Sequence, residues 1–296
     1  MSNPQPSAFV LEHAPWSYSK ASVASQCPFR FHLKYIKKRK GPSGTEAEVG
    51  KVVHAAIAYA LTNRPVQTCF RLALAESPML TTNEIEKVNS FIPSAEKFMR
   101  RFTAYTQKYP SQLPVIEQRL NVTLDGKMVD FFDNKGFIRG VLDVYLMFTN
   151  APDAMIMDHK TGKEHDISSF AEQFDVYTLL LKAKEPKLSR IRIGLNFLGT
   201  DNIVFGEMQD VPDIQPLLEK VIVFLNKSTE DTAAVHITKR GPLCNWCEFQ
   251  ETHCPAFEKA TLHGKEEKPE QSDTAAGPQD LEALGLPDLA GTAAGQ

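Results

Sequence analysis

Long apolar runs are missing from this sequence: no window holds the roughly 18 uninterrupted apolar residues that a membrane span needs. The first 14 residues contain no basic stretch leading into an apolar core, so no secretory leader is expected. A cytoplasmic, reducing compartment follows as the expectation. No G-x-x-x-x-G-K-[ST] string occurs, which excludes a P-loop of that form and assigns any helicase to a separate chain. Cysteine is sparse, five in 296 residues, which excludes a disulfide-stapled miniprotein. Residues 262–296 have no Phe, Trp, Tyr, Val or Ile and too little apolar surface to offset ordering, so a disordered tail is expected there. Acidic residues are absent between Lys20 and Lys40, a stretch with seven Lys or Arg. Such a basic patch suits a polyanion, although a solvated helix face looks the same by charge alone.

What remains is 42% apolar and 23% charged, with a net charge of −3, the profile of a globular chain of one large or two small domains. The tail carries two basic and seven acidic residues, so the preceding 261 are slightly basic. Residues 1–15 read as a flexible N-terminus. A helix is expected from a Ser19 cap to about Lys38, another over Glu46–Leu61, and one or two over Asn83–Tyr109, broken at Pro93. The period then shortens to that of strands over Leu113–Leu124, Gly136–Phe148 and Ala154–His159. A helix over Ser168–Lys184, strands over Arg190–Leu198 and Ile203–Met208, and a helix over Pro212–Asn226 complete an α/β body.

Asp143 lies inside an apolar strand, and Asp158 and Lys160 end the next one. Side chains alternate along a strand, so Asp158 and Lys160 share a face. A hairpin would bring Asp143 beside them. Two neighbouring carboxylates repel unless a cation lies between them, and Mg²⁺ favours oxygen donors. With a lysine able to act on an attacking water, the set suits hydrolysis of a phosphodiester. A buried Asp–Lys ion pair is the alternative, but a lone charge in an apolar strand is costly.

Asp143 followed by Asp158-His159-Lys160-Thr161-Gly162 resembles the PD-(D/E)xK nuclease core in its RecB-like branch, whose string is D-Y-K-T-G. Gln173 and Tyr177 match the branch's Q-x3-Y helix motif. His54, in Gly50-Lys51-Val52-Val53-His54, stands where the family has a metal-binding histidine. Glu117 matches the acidic residue of the first core strand. Ser17-Tyr18-Ser19 and Cys27-Pro28-Phe29-Arg30-Phe31 resemble the family's opening. The resemblance covers about residues 16–257. It departs at Asp158, where many relatives have Glu. It implies a restriction-endonuclease-like fold: a mixed central sheet flanked by helices. It also implies Asp143, Asp158, Lys160, Gln173 and Tyr177 as catalytic residues. The metal, Mg²⁺ or Mn²⁺, would be held by His54, Asp143, Asp158 and the backbone carbonyl of His159.

Cys244-x2-Cys247-x6-Cys254 offers three thiolates, and a four-thiolate site needs one more. Cys69 lies in an apolar helix-like stretch and reads as core. Cys27 is followed by Pro28, as Cys254 is by Pro255. A remote N-terminal cysteine with a C-terminal triplet resembles the iron–sulfur staple of RecB-like nucleases of the AddB and CRISPR-adaptation type. That implies a 4Fe–4S cluster on Cys27, Cys244, Cys247 and Cys254, stapling the N-terminal helices to the C-terminus; zinc is the competing occupant. The staple would bound a nuclease domain over 16–261.

These readings converge on a metal-dependent deoxyribonuclease, an exonuclease acting on single-stranded DNA or DNA ends, in repair, recombination, replication or CRISPR adaptation. Lys34, Lys37, Lys38, Arg39 and Lys40 would contact phosphates. Trp16, Tyr18, Phe29, Phe31 and Tyr35 would either stack on bases or pack the N-terminal helix. A separate helicase or recombination protein is a candidate partner. The rivals are a catalytically inactive DNA-binding module and a zinc-stapled scaffold protein.

Overall fold

The computed structural model describes residues 3–42, 44–232 and 238–258. The tail expected to be disordered over 262–296 lies outside them. Seven helices come first: α1 (Ala8–Glu12), α2 (Tyr18–Gln26), α3 (Pro28–Phe31), α4 (Thr45–Ala60), α5 (Val66–Ala75), α6 (Thr82–Asn89) and α7 (Ile92–Lys108). Then follow β1 (Val115–Val122), β2 (Met128–Val129), β3 (Ile138–Met147), β4 (Asp153–Lys160), α8 (Ala171–Lys184), β5 (Arg190–Phe197), β6 (Asn202–Asp210), α9 (Ile214–Thr229) and α10 (Pro255–Glu258). No helix among the described residues is long and apolar enough to cross a membrane.

The six strands form one mixed sheet in the order β2-β1-β3-β4-β5-β6. Only β4 and β5 run parallel, and α8 is the crossover between them, because parallel neighbours cannot be joined by a tight turn. The other pairs are antiparallel. β4 is central and buried along nearly its whole length, with an apolar middle, residues 154–157, between Asp153 and the Asp158-His159-Lys160 end. Helices cover both faces. One layer packs α8, α9 and the N-terminal segment against Leu142, Ile156 and Leu195. The other packs α4, α5 and α7 against Val144, Met155 and Met157. The mixed sheet flanked by helices is the architecture expected from the sequence.

Several expectations change in detail. The helix foreseen to Lys38 is capped by Ser17, whose Oγ accepts the Lys20 amide at 3.1 Å, not by Ser19. It stops at Cys27, because a residue before proline is pushed out of the helical region. A second short helix and a π-helical turn, His32–Ile36, continue the chain. The break in 83–109 falls at Ser90–Phe91, and Pro93 sits in the first turn of α7, where its missing N–H costs nothing. The first turn foreseen for α8 is a 3₁₀ turn, Ile167–Phe170.

Within the stretch read from sequence as a flexible N-terminus, the described residues 3–15 include α1 and pack on the body. Val10 and Trp16 are fully buried, and the Trp16 indole donates to the Val10 carbonyl at 2.7 Å. The Ser7 amide donates to Asn226 Oδ1 on α9 at 2.9 Å. Val10 and Phe9 carry the contact of this segment with the body, while Leu11 stays half exposed.

Phe98 on α7 is fully buried and meets the His159 ring edge-on at 4.9 Å. Phe98→Ala should destabilise the protein by about 3–5 kcal/mol, the transfer and cavity cost of a buried aromatic. Denaturant unfolding with an unchanged m-value checks it; a loss under about 1 kcal/mol would show that α7 does not depend on this contact.

Candidate active site

The hydrogen-bonded register of β3 and β4 runs from Met147–Ala154 to Val144–Met157 and ends there. In the gap beyond, the Asp143 carboxylate takes over: its Oδ2 accepts the His159 backbone amide at 2.8 Å. β3 is irregular at this point. Leu142 and Val144 would share a face in a regular strand, yet they enter opposite cores. Across the sheet, Glu117 lies between the paired positions Ile116–Val144 and Gln118–Leu142, with φ of +49°. A non-glycine residue held there is strained, and such strain gathers at functional sites. From α4, His54 Nδ1 approaches Asp143 Oδ2 at 3.4 Å. One donor atom from each of His54, Glu117 and Asp143 lies within 4.8 Å of the other two. This imidazole and carboxylate set fits a divalent cation such as Mg²⁺ or Mn²⁺.

Asp158 and Lys160 face α8. Asp158 Oδ2 meets Lys160 Nζ at 2.7 Å. Its Oδ1 accepts from Gln173 Nε2 at 2.9 Å and from the Tyr177 hydroxyl at 3.2 Å. Lys160 Nζ also donates to Gln173 Oε1 at 3.1 Å. Gln173 thus bridges the carboxylate and the ammonium, using the i to i+4 spacing that lets Tyr177 join them. Asp158 is 3% exposed; its Oδ2 has the Lys160 ammonium beside it but no hydrogen bond, and it is not part of the three-residue donor set. Of the residues expected from sequence to hold the metal, His54 and Asp143 lie together here with Glu117 as a third side-chain donor, while Asp158 stands apart and the expected contribution of His159 is its backbone carbonyl, not a side chain. The His159 ring points the other way, into the α4–α7 layer, where Nδ1 lies 3.1 Å from Asn196 Nδ2. Nothing in the sequence pattern marked Asn196, nor Arg119, which lines the cleft with His54, Glu117 and Asp143.

The family model for the PD-(D/E)XK nuclease superfamily matches residues 15–255. The chain belongs to the PD-(D/E)XK nuclease superfamily. No curated protein matches it. Among solved structures it is similar to one named "Putative exonuclease" from Eubacterium rectale, with 15% identity, a TM-score of 0.44, and 86% of this chain and 90% of that one covered. It is also similar to the structure of SSO0001, with 14% identity, a TM-score of 0.36, and 84% of this chain and 95% of that one covered. Nucleases of the superfamily act on DNA with divalent metals.

The charges of this PD-(D/E)XK site are set by burial and by one another. Burial disfavours the Asp143 carboxylate, but His54 and the His159 amide outweigh it and hold its pKa below the usual range. Burial likewise disfavours the His54 imidazolium, and Asp143 outweighs it and raises the His54 pKa. Asp158 goes the other way: burial and then the Asp143 charge raise its pKa against the pull of Lys160. Burial and Asp143 also raise Glu117. His159 is pushed down to about 4 by burial, so its ring is neutral near pH 7. A cation among these carboxylates would relieve the repulsion that lifts Glu117 and Asp158.

Away from this cleft, Cys27, Cys244, Cys247 and Cys254 line one cavity of about 140 Å³, a donor set that fits a metal group held by four thiolates. Cys69 is fully buried in α5 and is not among its lining. The basic run surrounds a second, larger cleft lined by Lys34, Lys38, Arg39 and Lys40, without Lys37. Glu248 takes Lys34 at 2.8 Å and Arg30 at 2.6 Å, so Lys34 already has an acidic partner. Of the aromatics considered for base stacking, Trp16 and Phe31 are fully buried and stack on each other at 5.6 Å. Phe29 lines the cysteine cavity.

In the metal-free protein, His54 should titrate above its ordinary value of about 6.5. Its share of stability is then complete below that ordinary value and lost as pH rises through the folded one. Asp143→Asn should bring the His54 midpoint down, because burial then acts without the countercharge. An NMR titration of the His54 ring protons reads this directly; an unchanged midpoint would refute the pairing.

Proposed function

We propose that this chain is a Mg²⁺- or Mn²⁺-dependent deoxyribonuclease of the RecB-like branch, acting as an exonuclease on single-stranded DNA or DNA ends. The observation that carries the hydrolytic reading is the meeting of two groups at the end of β4. A His54–Glu117–Asp143 donor set stands on one side, and Asp143 is bonded to the backbone between Asp158 and Lys160. The exonucleolytic and RecB-like readings rest on the sequence motifs Asp158-x-Lys160-Thr161-Gly162 and Gln173-x3-Tyr177.

A divalent cation held at this site would supply Lewis-acid polarisation of the scissile phosphate and a more acidic attacking water. His54, Glu117 and Asp143 would hold it, and Asp158 would join them once Lys160 turns toward substrate. Lys160 Nζ, held between Asp158 and Gln173, orients the water and stabilises charge on the phosphate. Gln173 and Tyr177 fix that ammonium and carboxylate in place. A catalytically inactive DNA-binding module would not need a cationic amine seated against a buried carboxylate.

The four cysteines would hold a 4Fe–4S cluster joining Cys27 to the 244–254 segment. Their shared cavity supports a common ligand, and zinc is the alternative that the visible spectrum separates: Fe–S protein absorbs near ~400 nm, zinc protein does not.

End-labelled single- and double-stranded DNA, incubated with and without Mn²⁺, tests activity and polarity. Asp143→Ala, Asp158→Ala and Lys160→Ala should each lower cleavage by about 10³-fold or more with the fold retained. The Asp143 variant should lose cation affinity, whereas Lys160→Ala should keep it. Near-normal cleavage by purified Asp158→Ala protein would sink the assignment.

Replacing Cys27, Cys244, Cys247 or Cys254 with Ala should bleach the visible absorption and cost several kcal/mol, on the order of a lost metal ligand's share of folding energy. Cys69→Ala should leave the colour intact. Full iron in the Cys27 variant would show that another residue is the fourth ligand.

A further inference from the structure

Trp16 and Phe31 are buried, and Tyr35 lines the cleft of the basic run half-buried, so the most exposed aromatic there comes from another segment. Trp246, in the short turn between Cys244 and Cys247, is 62% exposed. It lines the same cleft, of about 660 Å³, as Lys38, Arg39 and Lys40. Five basic side chains and two acidic ones line that cleft, and Glu248 is already engaged by Arg30 and Lys34. Lys38 and Lys40 have no acidic partner among the described residues. An exposed indole beside uncompensated ammonium groups is the pairing that single-stranded nucleic acid recognises: backbone charge for the cations, a base face for the ring. Duplex DNA keeps its base faces stacked away from such a ring.

The cleft shares helix α4 as a wall with the active-site cleft. Gly44, Glu46 and Ala47, at the start of α4, line it. Gly50, Lys51 and His54, one to two turns further on, line the cleft with Glu117 and Asp143. The helix rise puts Ala47 about 10 Å from His54 along the axis, a step or two of a nucleotide chain. The wall is fixed in place: a Cβ on Gly41 would meet the Glu248 carbonyl oxygen at 2.3 Å, so only glycine permits this approach of the basic segment to the Trp246 turn.

We infer that Trp246 is a base-stacking platform for single-stranded DNA, with Lys38, Arg39 and Lys40 gripping its backbone as the strand passes along α4 to the His54–Asp143 cleft. The inference rests on the nuclease reading for its substrate, yet its test requires no cleavage.

The chain has two tryptophans and Trp16 is fully buried, so a ligand-induced change in intrinsic emission reports Trp246. The full chain, purified anaerobically and kept free of divalent cation, is titrated with three probes of equal length: a short oligothymidylate, an abasic deoxyribose-phosphate strand and a duplex. The oligothymidylate should quench the tryptophan emission; the abasic strand and the duplex should not. Trp246→Ala should weaken oligothymidylate binding about tenfold by fluorescence anisotropy, and Trp246→Phe should restore most of it. Unquenched emission at saturating oligothymidylate overturns the proposal, as does equal affinity for the abasic strand. Quenching equal to that by duplex also overturns it. The wild-type titrations decide even if the alanine variant fails to fold. Loss of cleavage with quenching intact would strike the nuclease reading instead.

Discussion

The hydrogen bond from the His159 amide to Asp143, 2.8 Å long, stands where two strands of the sheet stop pairing. A backbone donor in a sheet interior must be satisfied, and here a carboxylate does what a carbonyl would have done. That single substitution opens the sheet without breaking it. It brings Asp143 to the end of β4, within reach of His54 on α4 and opposite Glu117 on β1. Because the bond favours the charged carboxylate, it also helps keep Asp143 ionised in a half-buried position.

Two aspartates on adjacent strands therefore meet different fates. Asp143 is held as an anion by an imidazole and an amide. Asp158, deeper and next to that anion, depends on Lys160, Gln173 and Tyr177 for compensation. Truncating any of these would leave a buried charge short of a partner, which costs more than the contact itself is worth. Burial first, and then the Asp143 charge, raise the pKa of both Asp158 and Glu117.

The chain ends of the body are tied in twice over. The N-terminal segment latches onto α9 through Ser7, Gln5 and Asn226. Further along, Arg30 and Lys34 converge on Glu248, beside the cavity of the four cysteines. Both ties join residues more than 200 positions apart. The basic segment is thereby carried as a wall beside α4.

The sequence by itself determined the α/β class, because helical periods in the first third and strand periods afterwards follow from local propensity and burial. It also singled out Asp143, Asp158 and Lys160, since charged residues in or at the ends of apolar strands are visible in one dimension. Gln173 and Tyr177 joined them only through the resemblance to the RecB-like Q-x3-Y motif, because an i to i+4 polar pair by itself is an ordinary feature of a helix. Tertiary structure decided the rest. The left-handed Glu117 and the reversed facing around Asp143 arise from two strands meeting across an irregularity, which no local pattern encodes. Trp16 and Trp246 show the same limit: both stand in short, polar surroundings in sequence, yet one is sealed under Val10 and Phe31 and the other lies open beside the lysines. Burial belongs to the packed molecule, because it depends on which distant segments fold over a side chain.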